Sequence, residues 1–114
     1  MRNFVIIGGD KRQKYLKEYL AEKGYDVSSY GLFDWNEDED KLKGIIGEDS
    51  VIILPLPATR NDKTIVMPFS KREITIDRLL SLLGKGNIVF GGIIKGELLS
   101  RQIYPLWIIM TMSL

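Results

Sequence analysis

Asp10 and Arg12 stand two residues apart in the first tight turn of the chain, directly after Phe4-Val5-Ile6-Ile7-Gly8-Gly9. A carboxylate at such a turn orients a substrate or accepts a proton. A guanidinium offers a planar fork to a ligand carboxylate. Each residue also has a plain structural role: Asp10 caps a helix, and Arg12 is a first-turn surface side chain. A second group, Thr59, Arg60, Phe69 and Ser70, lies in or beside the long stretch that follows the apolar run Val51-Ile52-Ile53-Leu54. A long loop of this kind in a compact domain serves a ligand or partner, or is a structural β-arm. A third is the pair Gly91-Gly92 after Ile88-Val89-Phe90. Glycines there let a ligand approach the backbone, or simply make a tight strand-to-helix turn. Gly9 completes the set of candidate substrate contacts.

Composition removes whole classes of chemistry. The chain has no cysteine and no histidine, so disulfides, thiol nucleophiles, thiolate metal sites and imidazole chemistry are excluded. No nucleophile–base pair, Walker-type phosphate loop or spaced metal-ligand set is present. Sixteen basic and fifteen acidic residues leave a net charge of +1, which argues against nucleic acid as a partner. Residues 34–40 carry five acids, but without the ligand spacing of a calcium loop they read as a solvated segment leading into a short helix. The absence of cysteine fits a cytoplasmic location. The uncharged tail, Tyr104 to Leu114, is too short to span a bilayer, and no membrane partner is expected.

The elements that must hold these residues follow from hydrophobic spacing. Four apolar residues, two glycines and an acidic cap read as strand, turn and helix, the opening of a parallel α/β sheet. The helix is expected from Lys11 to about Lys23, with Tyr15, Leu16, Tyr19 and Leu20 as its buried stripe. Asp10 and Gln13 form a variant capping box, and Gly24 closes the helix in a left-handed conformation. Tyr25, Phe4 and Phe90 are expected in or near the core. Strands follow at about 26–30, 51–54 and 88–90, the last ending at Gly91-Gly92. A helix is expected over about 77–83 and another from near residue 96. Thr64 to Met67 and Glu73 to Ile76 form a small hairpin within the long loop. Pro55 and Pro57 stop the third strand.

The pattern predicts an α/β fold: a three-layer Rossmann-like or flavodoxin-like domain with a mostly parallel four- or five-stranded sheet over residues 1–103. The apolar tail, residues 104–114, is a last strand or an interface segment, and a homodimer is one use for it. In such sheets, sites form outside the carboxyl ends of the strands. Here those ends are Gly8-Gly9-Asp10, Pro55 to Arg60, and Gly91-Gly92. The first turn is not a dinucleotide fingerprint, which would place glycines at positions 8, 10 and 13. Asp10 and Gln13 stand at two of those positions, and Asp10 sets a negative charge where a pyrophosphate would lie.

Three segments carry a family resemblance. Residues 5–27 (VIIGGDKRQKYLKEYLAEKGYDV), 51–83 (VIILPLPATRNDKTIVMPFSKREITIDRLLSLL) and 87–93 (NIVFGGI) resemble the N-terminal domain of the dipicolinate synthase A-type subunit. The matching features are the Gly-Gly-Asp turn with Arg12-Gln13, the strand ending in Leu54-Pro55, Ala58-Thr59, and Phe69-Ser70. The likeness covers about residues 3–100, and its specificity lies in the order and spacing of short motifs. It implies an NAD(P)-dependent oxidoreductase of sporulating bacteria, working with a flavoprotein-like B subunit on a dihydrodipicolinate-pathway precursor. In that family the first domain is the substrate side and the second carries the nicotinamide fingerprint. The expectation is therefore a small cyclic dicarboxylate as ligand, no cofactor bound by this chain, NAD(P) in the longer relative, and no activity for this domain alone. The segment YPLWIIMTMSL departs from the family's continuation.

Two readings from other classes stand beside this one. A flavodoxin-like or receiver-like binding module is the first, although a phosphoryl receiver wants an acid at the end of its third strand, where this chain has Leu54-Pro55-Leu56. A docking or dimerising domain is the second.

Overall fold

The computed structural model describes residues 3–61, 63–92 and 107–111, with residues 92 and 107–111 described by backbone alone. In chain order the elements are β1 (Phe4–Ile7), α1 (Lys11–Glu22), β2 (Val27–Tyr30), α2 (Glu39–Ile45), β3 (Val51–Ile53), β4 (Thr59–Arg60), β5 (Thr64–Ile65), α3 (Ile76–Ser81), β6 (Ile88–Gly92) and β7 (Trp107–Thr111). Five strands form one sheet in the order β2-β1-β3-β6-β7. Every pairing in it is parallel. The remaining two, β4 and β5, pair as an antiparallel arm. The expected α/β class and parallel sheet are what the chain adopts, and the tail supplies the fifth strand.

The order reverses direction between β1 and β3. The chain steps outward from β1 through α1 to β2, then returns through α2 past β1 to β3. Right-handed crossovers place helices made in opposite directions on opposite faces. The packing agrees: Val5 and Ile7 of β1 share a buried cluster with Leu42 of α2 and Leu79 and Leu80 of α3. Ile6 is fully buried on the other pleat, outside that cluster. The switch in direction opens a crevice between the carboxyl ends of β1 and β3.

Helix α1 differs from expectation in the face it turns inward. Tyr15 and Tyr19 are exposed, at 70% and 46%, while Gln13, Leu16, Lys17 and Leu20 are half-buried. These four keep helical spacing, so the stripe has rotated rather than vanished. Gln13 lies over Gly9, whose other near neighbour is Pro55, and Lys17 reaches Ser29 Oγ at 3.2 Å. Tyr25 and Phe90 are likewise exposed rather than core. Tyr25 instead meets Phe4 edge to face at 5.4 Å. Helix α1 ends as expected: Gly24 has φ +87°, and the bonds Gly24 N–H to Ala21 O and Tyr25 N–H to Leu20 O complete a Schellman motif.

The long loop also pairs differently. Its two-stranded ladder joins Thr59–Arg60 to Thr64–Ile65. The expected partners meet only through an isolated bridge, Thr64 with Thr75, flanked by Ile65 N–H to Ile74 O and Ile76 N–H to Lys63 O. Gly91 and Gly92, expected in a turn, are the last two residues of β6, because β7 runs alongside and gives them ladder partners in Met110 and Thr111. The helix expected from about residue 96 lies outside the described residues.

The arm folds back over the sheet. Gly9 N–H donates to Val66 O at 2.9 Å. A Cβ at Gly8 (φ +61°) would lie 2.6 Å from Val66 O and 2.5 Å from Met67 Cγ. At the opposite end of the strands a polar clasp holds the loops. Asn87, 2% exposed, accepts from Gly84 N–H and donates to the carbonyls of Gly47 and Ser50, at 2.9, 2.9 and 3.0 Å. Ser50 Oγ accepts from Gly47 N–H and donates to Asn3 Oδ1.

These contacts rank three substitutions by stability. Gly8→Ala meets both a left-handed φ and the Val66 carbonyl, and is expected to cost about 2–4 kcal/mol. Gly24→Ala meets only the φ, with nothing within 4 Å of the added carbon, and is expected to cost about 1 kcal/mol. Urea unfolding of both variants checks the ranking. Asn87→Ala leaves Gly84 N–H without its acceptor and takes one donor each from the Gly47 and Ser50 carbonyls, which keep Ser50 N–H and Ile88 N–H; it is expected to cost about 1–3 kcal/mol in the same measurement.

Candidate functional site

The crevice at the β1/β3 switch holds a hollow of about 380 Å³, lined by Gly9, Asp10, Arg12, Gln13, Pro55, Leu56, Pro57, Val66 and Pro68. Three segments make it: the β1–α1 turn, the loop after β3, and the arm. The Leu56–Pro57 peptide is cis.

Asp10 is the N-cap of α1, and its Oδ1 accepts from Arg12 N–H at 2.9 Å. The reciprocal half of the expected capping box is not made. Gln13 Nε2 is instead buried without a hydrogen-bond partner, beside the hollow that Gln13 helps line. The Arg12 guanidinium straddles the Asp10 carboxylate, with Nε 3.2 and 3.3 Å from Oδ1 and Oδ2, and Nη2 3.1 Å from Oδ2. The same Nη2 donates to Leu56 O at 3.2 Å. Both side chains remain substantially open to solvent, 71% for Arg12 and 49% for Asp10. The hydrogen bonds from Arg12 hold the Asp10 carboxyl below its usual range, and Asp10 in turn raises the Arg12 pKa.

The other candidates are not all brought here. Arg60 and Ser70 line a second hollow of about 270 Å³, with Lys71, Arg72 and Glu73. Arg60 is paired with Glu73, and Ser70 Oγ accepts from Arg72 N–H at 3.1 Å. Val66 and Pro68 border both hollows. Thr59 sits in the β4 ladder opposite Ile65. Phe69 lies under the ammonium of Lys14, 3.9 Å from its ring centre. Gly91 and Gly92 line neither of these hollows.

Pro55, Leu56 and Pro57 fall in the strand end, residues 55–60, where the sequence predicts a site, although Gln13 and the two prolines read there as capping and strand termination; Val66 and Pro68 are not among the predicted contacts. For Pro55, Leu56 and Pro57 the signal is two prolines flanking one residue at the end of an apolar strand, in a sheet whose sites lie at such ends.

The acidic run resolves into local structure. Glu37, 8% exposed, accepts from Gly31 N–H at 3.0 Å and pairs with Lys41 at 2.6 Å. Asp38 caps α2. Among the described residues no group of three acids could hold a metal ion. The Tyr30 hydroxyl donates to Glu37 O at 3.3 Å, and burial, with the charge of Glu39, raises its pKa. No helix among the described residues is long and apolar enough to cross a membrane.

A parallel sheet in the order β2-β1-β3-β6-β7, with a hollow at its switch point, defines a doubly wound α/β domain of the flavodoxin-like type. The family follows from comparison. Residues 3–102 match the model of the N-terminal domain of the dipicolinate synthase A subunit, and the chain belongs to that family. Two solved structures share the fold. The A subunit of dipicolinate synthase from Bacillus halodurans superposes with a TM-score of 0.67 at 21% identity, over 92% of this chain. The dipicolinate synthase A chain from Bacillus subtilis gives 0.63 at 22%, over 93%. This chain spans 39% of the length of each. No curated protein matches it in sequence.

The Asp10–Arg12 pair carries a pH prediction. Because the folded pKa of Asp10 is depressed, the pair's contribution is complete above the ordinary carboxylate value of 3.8. It is lost as pH falls through the folded value. Carboxyl carbon NMR is expected to give Asp10 a titration midpoint below 3.8, moving back toward that value in Arg12→Ala.

Proposed function

We propose that this domain is the substrate-side lobe of a dipicolinate synthase A-type subunit and that the switch-point hollow receives a small cyclic dicarboxylate. The observation that carries this reading is the joint placement of an exposed guanidinium and an unpartnered amide donor around a hollow walled by Pro55, Pro57, Val66 and Pro68. A flat ring packs against such walls. One carboxylate takes the Arg12 fork, and Gln13 Nε2, buried beside the hollow, turns into it to donate to a second. An amide that gains a partner on binding recovers what its burial costs.

The same geometry speaks for a division of labour within the longer enzyme. The first loop does not fit a dinucleotide: Gly9 N–H is already bonded to Val66 O, and Asp10 stands at the positive end of α1. This supports a nicotinamide site on the second domain of the family protein, with NAD(P) supplying the redox chemistry there. The overall reaction proposed is oxidation of a dihydrodipicolinate-pathway precursor to dipicolinate, in the cytoplasm of a sporulating cell, with a flavoprotein-like B subunit. This chain's part is to hold the dicarboxylate by its anionic ends. The docking reading gains support from one observation, the exposed Tyr15 and Tyr19 on α1 with Phe33 and Trp35 beyond β2. A homodimer or the B subunit is the partner it would take.

The test is binding and turnover measured together. Dipicolinate titrated into the chain by calorimetry is expected to bind, and Arg12→Ala to weaken it about tenfold or more, as for loss of a charged hydrogen bond. The chain alone is expected to turn over no NAD(P). Adding the B subunit and a family second domain is expected to produce dipicolinate, followed by its ultraviolet absorbance. Binding that is indifferent to Arg12, or hydride transfer by the chain alone, contradicts the proposal. Sedimentation with and without the B subunit, compared with a Tyr15→Ser/Tyr19→Ser variant, separates docking from ligand binding.

A further inference from the structure

Arg12 is not waiting with an empty fork. Its Nε and Nη2 are spread across both oxygens of Asp10, and Nη2 also reaches Leu56 O, so one edge of the guanidinium is satisfied from within the chain. The arrangement is the one a ligand carboxylate would make. All three residues line the hollow. Asp10 has a second contact that does not need its charge, the acceptance of Arg12 N–H as N-cap.

We propose that Asp10 is an internal stand-in for the ligand, a positioning residue that holds the Arg12 fork spread over the hollow and is exchanged for the incoming carboxylate. The inference rests on the reading of this hollow as a dicarboxylate site. It assigns Asp10 two roles: pre-orienting Arg12 toward Leu56 O, and selecting against ligands too weakly anionic to displace it. An incoming carboxylate that left Asp10 in place would face a like charge at close range, so exchange is required for binding on this edge. The exposure of the pair makes exchange inexpensive, since a solvated ion pair is a weak competitor.

The consequence runs against the usual direction of a binding-site mutation. Asp10→Asn and Asp10→Ser both keep an N-cap acceptor and remove the competing charge. They are expected to bind dipicolinate about two- to fivefold more tightly than the wild type, the range set by an exposed ion pair. They are also expected to narrow the preference for dipicolinate over its monocarboxylate analogue, picolinate. A purely structural Asp10 predicts weaker or unchanged binding instead. Thermal unfolding of each variant identifies any that fail to fold, and two cap-competent replacements guard against one failing.

Nitrogen-15 NMR of the Arg12 Nε–H gives a readout independent of affinity. Dipicolinate is expected to shift this resonance in the wild type, and Asp10→Asn alone to shift it without ligand. Tighter binding in both variants, or binding detectable only in them, supports the exchange. Wild-type binding that depends on Arg12 but is unchanged or weakened in both variants overturns it and leaves the site reading intact. Absence of dipicolinate binding in wild type and variants alike removes the site reading, and the exchange with it.

Discussion

The docking of Val66 and Met67 onto glycine backbone is the contact on which the carboxyl end of this sheet depends. Gly9 gives its N–H to Val66 O, Gly8 leaves room for that carbonyl and for Met67, and Gly31 at the end of β2 has Met67 Sδ where its own Cβ would point, 2.5 Å away. Three positive-φ glycines from two adjacent strands thus form a flat seat for one short segment. The seat explains why a chain that opens like a dinucleotide-binding fold need not behave as one. The amide that could receive phosphate is bonded within the chain, and the arm that bonds it becomes a wall of the hollow.

The two ends of the strands are built on different principles. At the amino end, the side chains of Asn87, Ser50 and Asn3 bond to one another or to the nearby loop backbone at 2.6 to 3.4 Å, and two of the three side chains belong to buried residues. Buried groups satisfied this completely fix loop positions and offer little to a ligand. At the carboxyl end, one amide nitrogen is buried without a partner and one guanidinium is held by an exposed neighbour. The asymmetry matches the general placement of sites in open parallel sheets, and it separates residues whose loss should unfold the domain from those whose loss should alter binding.

Much of the architecture was legible because apolar runs and glycine punctuation are local signals. The strand–turn–helix opening, the Gly24 stop and the buried third strand follow from spacing alone. The inward face of α1 did not, because Gln13 and Lys17 took places that hydropathy assigns to Tyr15 and Tyr19. A long polar side chain covering apolar surface is invisible to a hydrophobic pattern. Gly91-Gly92 was misplaced for a non-local reason, the arrival of β7 beside β6. At the site, Asp10 and Arg12 were legible as candidates because their chemistry and cap position are local. Of the walls of the hollow, Pro55 and Pro57 lie at a strand end that the sequence marks, whereas Val66 and Pro68 acquire their role only when the arm folds back over the β1/β3 crevice.

An exposed, bidentate ion pair in a ligand hollow is a weak contributor to stability, and that weakness is what suits it to its place. A buried pair would resist separation, because each partner would be left as an uncompensated charge. At 71% and 49% exposure, both charges keep water within reach while they part. Leu56 O, 3.2 Å from Nη2, gives the guanidinium a second anchor once Asp10 has set its direction. Asp10 Oδ1 accepts both Arg12 N–H and Arg12 Nε, so releasing the fork also loosens the cap on the first turn of α1, and that is part of what the incoming anion must outweigh. One side chain therefore both terminates the helix and occupies the fork, and it shares its charge with Arg12 until a stronger anion enters.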